Sequence, residues 1–137
     1  MYYCHECAAS RGMLPSIPTT LVTNQYQLDK YLKHTNPAST AGMTGVFTTP
    51  GSEAYQKYVV TAVASGHVEI DSQGRMNIVW VASEQTGIAY KGGQLVGPTK
   101  AVKVVLAQDS STLHGFPIST AELKVGSCAQ CGRPVPH

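Results

Sequence analysis

The four cysteines of this chain form two C-x-x-C pairs at its opposite ends, Cys4-His5-Glu6-Cys7 and Cys128-Ala129-Gln130-Cys131. Two such pairs supply the donor count of a single four-thiolate metal site, and Zn²⁺ suits that donor set best. Ligation by Cys4, Cys7, Cys128 and Cys131 ties the termini together and closes a loop of roughly 120 residues. Any fold open to this chain must therefore bring its two ends to one point.

At 137 residues the chain is long enough for one domain with a real core. It is 42% hydrophobic and only 13% charged, where about a quarter is usual. The formal charge of +2 falls to about zero once four thiolates and one Zn²⁺ are counted. That argues against a strongly electrostatic DNA binder, whose domain is clearly basic. No apolar run reaches the roughly 18 residues that cross a bilayer. The start, Met1-Tyr2-Tyr3-Cys4, lacks the basic-then-apolar order of a secretory signal. A cytoplasmic protein without membrane contact is expected, and reduced thiols there favour metal over disulfides.

Residues 1–12 read as a metal knuckle and tail, followed by an extended passage marked by Pro15 and Pro18. A helix is expected over about 24–34, with Asn24 as cap, Gln27 three residues on, and Leu28, Tyr31 and Leu32 on one face. Residues 35–51 are rich in Thr, Ser, Gly, Ala and Pro and read as a long loop with a short strand at Val46-Phe47. A second helix is expected over 52–65, capped by Ser52 and ended by Gly66 as its left-handed C′ residue. The β-branched run Val59-Val60-Thr61 also suits a strand over Tyr58–Val63. The remainder reads as β: His67–Ile70 and Met76–Val81 around the turn Asp71-Ser72-Gln73-Gly74, then Gly87–Tyr90, Ala101–Leu106 and a short strand near Glu122–Val125. Lys91-Gly92-Gly93 and His114-Gly115-Phe116-Pro117 read as turns, and Trp80 as core.

The cysteine pairs resemble the two knuckles of four-cysteine zinc ribbons and rubredoxin-like folds. The resemblance covers residues 4–7 and 128–132 only, and it makes the central part a large insertion between knuckles. Gly132 after Cys131 fits such a turn well; Ala8 after Cys7 fits it less well. His5 and His137 are alternative nitrogen ligands. Thiolates leave zinc and iron unseparated.

Three other resemblances are weaker. His67-Val68-Glu69 with Cys128-x-x-Cys131 is similar to the H-x-E and P-C-x-x-C elements of zinc-dependent nucleobase deaminases, which implies a hydrolase with Glu69 moving protons. Ser127 stands where that family has proline, and Cys4 and Cys7 are left without a role. Gly92-Gly93-Gln94 matches the tripeptide of peptide-release factors, but its flanks do not. Residues 52–81 resemble the recognition helix and wing of winged-helix domains, which implies phosphate contacts by Lys57, Arg75, Tyr55 and Tyr58.

The expected fold is α+β: a single domain, 1–137, with an antiparallel sheet carrying two helices on one face. A Zn²⁺ clasp of 4–7 and 128–131 joins the termini around a core of about 20–126. The expected role is binding or regulation through protein or nucleic-acid contacts, with a purely structural or assembly role as a further alternative. Candidate contact residues are Arg75 at the hairpin tip, Met43 and Phe47 in the long loop, and Lys57 on the second helix.

Overall fold

The structure, a computed structural model, describes residues 1–14, 45–48, 53, 55–91, 94–106 and 113–135. The helix expected over about 24–34, Met43, most of the loop 35–51, the Gly92-Gly93 turn and His137 lie outside them. The described elements are β1 (Tyr2–Tyr3), α1 (His5–Ser10), β2 (Gly45–Phe47), a π-helical turn (Tyr55–Val59) running into α2 (Val60–Ser65), β3 (His67–Ile70), β4 (Met76–Val81), β5 (Gly87–Lys91), β6 (Gln94–Thr99), β7 (Ala101–Leu106), β8 (Leu113–Ile118), a 3₁₀ turn (Thr120–Glu122), β9 (Gly126–Ser127) and β10 (Pro134–Val135).

Alternation of side chains organises the main sheet, whose order is β1-β3-β4-β7-β8 with every pairing antiparallel. Val68, Ile78, Val102 and Val104 point to one face, where they are fully buried. That face receives the helical segment 55–65, whose Tyr58, Val59, Ala62 and Val63 are buried at the four-residue spacing of a helix stripe. The helix reading of this segment therefore wins over the strand, as the amphipathic stripe outweighs the β-branched run; the expected cap Ser52 lies outside the described residues. Trp80 packs against the same core. A second sheet, β2-β5-β6, meets the first where Gly45 lies against the Pro117 carbonyl, too close for any Cβ.

Several expectations are corrected. The fold is mostly antiparallel sheet with few helices: among the described residues α2 with its π turn covers the Val68–Ile78 face and α1 adds Ala8 to the same buried cluster, while the helix expected over about 24–34 lies outside them. His114–Pro117 is not a turn but the body of β8, an edge strand, where Pro117 has no ladder bond to forfeit on its outer side. Gly115 in the same strand leaves room for Val59. The stretch near Glu122–Val125 is a 3₁₀ turn and extended chain rather than a strand. The termini are not a separate tail: Tyr3, Cys4, Ala8, Cys128 and Val135 belong to the main buried cluster.

Gly66 ends α2, but its φ of −77° is not left-handed. Its need is for space: a Cβ would sit 2.7 Å from the Ala62 carbonyl oxygen, from Ile78 Cγ2 and from the Val79 carbonyl oxygen. Gly66→Ala is expected to destabilise the fold by about 1–3 kcal/mol, the usual cost of overpacking. Equilibrium unfolding in urea measures the change, and an unchanged midpoint would contradict the packing argument.

Candidate metal centre

The N-terminal pair is carried by a helix. Cys4 is extended (φ −62°, ψ 163°) at the N-cap of α1, and Cys7 lies in its first turn. Glu6 in that turn and the Ala8-Ala9 pair favour the helix. Gly12, with φ of 68°, ends it as its amide donates to the Ala9 carbonyl. The expected knuckle over 4–7 is thus replaced by a helix start. Its signs, Glu6, two alanines and a trailing glycine, were present in the sequence.

The C-terminal pair is a knuckle, as expected. It forms the tip of the small β9–β10 hairpin, in which Pro134 faces Ser127 and Val135 faces Gly126. The Cys128 amide donates to the Arg133 carbonyl at 2.8 Å, and the Gly132 amide to the Cys128 carbonyl at 2.9 Å. Gly132 adopts φ of 77°, which only glycine does at little cost. The turn aims the Cys131 amide at Cys128 Sγ, 3.5 Å away.

Backbone pairing brings the two segments together. Tyr2 bridges Cys128 in parallel, and the Ala129 amide donates to the Tyr2 carbonyl at 2.7 Å. Arg11 reaches across to Gln130 Oε1 at 3.3 Å, with its guanidinium 4.9 Å from the Tyr3 ring centre. Arg133 lies 3.7 Å from Glu6. As a result the four Sγ atoms all lie within 4.8 Å of one another, with Cys4 and Cys131 at 3.6 Å. A tetrahedron with Zn–S bonds of about 2.3 Å has edges of about 3.8 Å, so the donor set fits such an ion. The sulfurs are free thiols, not disulfides. Cys4 and Cys128 are buried and Cys131 is exposed.

The cluster polarises its own thiols. Burial opposes ionisation of Cys128, yet the backbone amides of Cys131, Cys4 and Gln130, with the Cys131 side chain, outweigh it and hold the thiol down to about 5. Hydrogen bonding with Cys4, then burial, then the Cys128 and Cys131 sulfurs push Cys7 up to about 12. One thiolate is thus ready to receive a cation, while another keeps its proton until a cation displaces it.

The other candidate residues are scattered. His5 is not aimed at the sulfurs: its Nδ1 lies 3.1 Å from the Gly66 carbonyl oxygen. His67, 2% exposed, donates from Nε2 to Glu69 Oε1 at 3.2 Å. Among the described residues the four cysteines are the only group of three or more His, Cys, Asp or Glu able to hold a metal ion, so His67 does not join Cys128 and Cys131 as the deaminase-like arrangement requires. Phe47, expected on a loop surface, is 2% exposed and stacks on Tyr58 with ring centres 5.4 Å apart. Lys57 and Arg75 are exposed and each meets an acid: Lys57 meets Glu84 at 3.1 Å, and Arg75 Nε meets Asp71 Oδ2 at 3.1 Å. Asp71 Oδ1 also accepts from the amides of Gln73 and Arg75, so this carboxylate shapes the hairpin turn. The Arg75 amide, with the Gln73 amide and the Arg75 side chain, holds Asp71 below its ordinary range against the opposing effect of burial.

Compared with protein-family models, with curated proteins and with solved structures, the chain matches none. The four-sulfur geometry therefore rests on the residues themselves.

Metal loading is expected to be coupled to protons. Because Cys7 is protonated at neutral pH, ligation must expel its proton, and each proton released makes affinity fall about tenfold per unit drop in pH. Competition against a chromogenic chelator between pH 6 and 8 measures the slope. A flat profile would remove Cys7 from the ligand set.

Proposed function

We propose that this chain is a Zn²⁺-clasped binding or regulatory protein whose metal is structural. The observation that carries this reading is the closed donor set: four mutually close cysteine sulfurs. Four thiolates complete a tetrahedron, whereas catalytic zinc keeps one position for water or substrate. The ion supplies a cross-link between the termini and, in this reading, no chemistry. This favours binding over the deaminase-like hydrolase.

The exposed guanidinium of Arg75 and the exposed Lys57–Glu84 pair support contact surfaces at the hairpin tip and at Lys57, because exposed surface ion pairs contribute little and exchange readily for a partner's charges. A total charge near zero, with zinc counted, favours a protein partner over nucleic acid.

Protein purified without chelator should contain one zinc per chain, with X-ray absorption showing four sulfurs at about 2.3 Å. Cys128→Ser, and chelation of the unmutated protein, should each lower the melting temperature markedly, because a ligand held only by the folded state stabilises it. A nitrogen or oxygen ligand in the first coordination sphere would return the hydrolase reading. Mixed-sequence DNA and RNA oligonucleotides should show no binding at physiological salt. A salt-dependent shift that disappears in a Lys57→Ala, Arg75→Ala double variant would transfer the partner to nucleic acid.

A further inference from the structure

The face of the main sheet turned away from α2 holds a row that neither the metal centre nor the hairpin tip uses. Register places His67, Val79, Lys103 and Phe116 side by side across β3, β4, β7 and β8. Glu69, two residues along β3 from His67, points to the same side. The chain leaving β8 turns back over this face, and Leu123 packs onto the cluster of Val79, Ala101 and Ile118. Between the sheet and this returning segment lies a hollow of about 390 Å³. That is within the roughly 300–1,000 Å³ of small-molecule sites.

Its chemistry is divided. Val79, Phe116, Ile118 and Leu123 make an apolar end. Glu69, Lys103, Glu122 and Lys124 bring two negative and two positive charges to the same space. Lys103 is the unexpected member. It is half-buried on an interior strand between Val79 and Phe116, and no ion pair holds its ammonium among the described residues. Glu69 is 12% exposed and takes one hydrogen bond from His67, which fixes its carboxylate at the wall. Glu69, Lys103 and Lys124 also border a second, more polar hollow of about 360 Å³. The charges thus stand on the divide between an apolar and a polar space.

We propose that this hollow binds a small zwitterion with an apolar body, of the class of the free apolar α-amino acids. The side chain lies on Val79, Phe116, Ile118 and Leu123. The carboxylate meets Lys103 and Lys124, and the α-ammonium meets Glu69 and Glu122. Charge complementarity selects this class over its neighbours. A simple carboxylate leaves two acids facing the ligand's anion, and a simple amine leaves two ammoniums facing a cation. The site is separate from the metal ligands, so its failure and the failure of the zinc assignment are distinguishable.

The test is calorimetric titration of the full-length, metal-loaded protein with L-phenylalanine and L-leucine, then with 3-phenylpropionate, phenethylamine and N-acetyl-L-phenylalanine. The expected result is saturable one-to-one binding of an amino acid, with each of the three analogues weaker by about tenfold or more, the loss that follows from one charged hydrogen bond. This series needs no variant to fold. Glu69→Gln and Lys103→Met should weaken binding by a similar factor, and Lys124→Ala, on the exposed rim, by less. Absence of saturable binding up to millimolar amino acid overturns the proposal. So does equal binding of N-acetyl-L-phenylalanine, which would make the hollow a reader of peptide C-termini. Affinity unchanged in both Glu69→Gln and Lys103→Met also overturns it.

Discussion

The meeting of four cysteine sulfurs is the constraint on which the ends of this molecule depend. None of the terminal elements stands on local energetics. A six-residue helix falls far below the length at which an isolated helix is stable, and a two-residue strand has no independent existence. Yet Ala8 and Val135 are as deeply buried as the central strands, and Tyr3 is buried with them. An ion bound by these sulfurs only in the folded chain would add its binding free energy to the order of these segments. The hydrogen bonds between Tyr2 and Ala129, and within the knuckle, fix the geometry in which the sulfurs meet.

The main sheet divides its labour between two faces. On one, Val68, Ile78, Val102 and Val104 are covered by the helical segment, and the result is ordinary dry packing. On the other, charged and apolar residues alternate across the strands, and only a short returning segment covers them. Lys103 stands half-buried on the interior strand β7 of that open face, and it forms no ion pair among the described residues.

The elements with unbroken chemistry were readable from the residues. β3, β4 and β7 are β-branched runs bounded by turn residues, and their bounds follow the sequence closely. The four metal-site residues were readable because cysteine count and spacing need no knowledge of the fold. What was not readable depended on distant partners. β8 contains a glycine and a proline that argue for a turn until Val59 and the sheet edge are in place. Phe47 sits among threonines and glycines, and nothing local says that Tyr58 will cover its ring. In α1 the cysteines drew attention to a knuckle and away from the helix signs around them. The hollow on the second face is a product of register, since Lys103 and Val79 become neighbours only when β4 and β7 pair.

One short strand borders both the metal centre and the hollow. Tyr2 lies opposite Glu69 in the β1–β3 ladder and bridges Cys128 on its other side. Its ring stands 6.2 Å from that of His67, which holds the Glu69 carboxylate. β1 has two residues, so it has few bonds of its own with which to stay paired. The order of β1 therefore rests on its neighbours, β3 on one side and the Cys128–Ala129 segment on the other. Whatever holds the four sulfurs together also holds the strand that lines the edge of β3 beside Glu69.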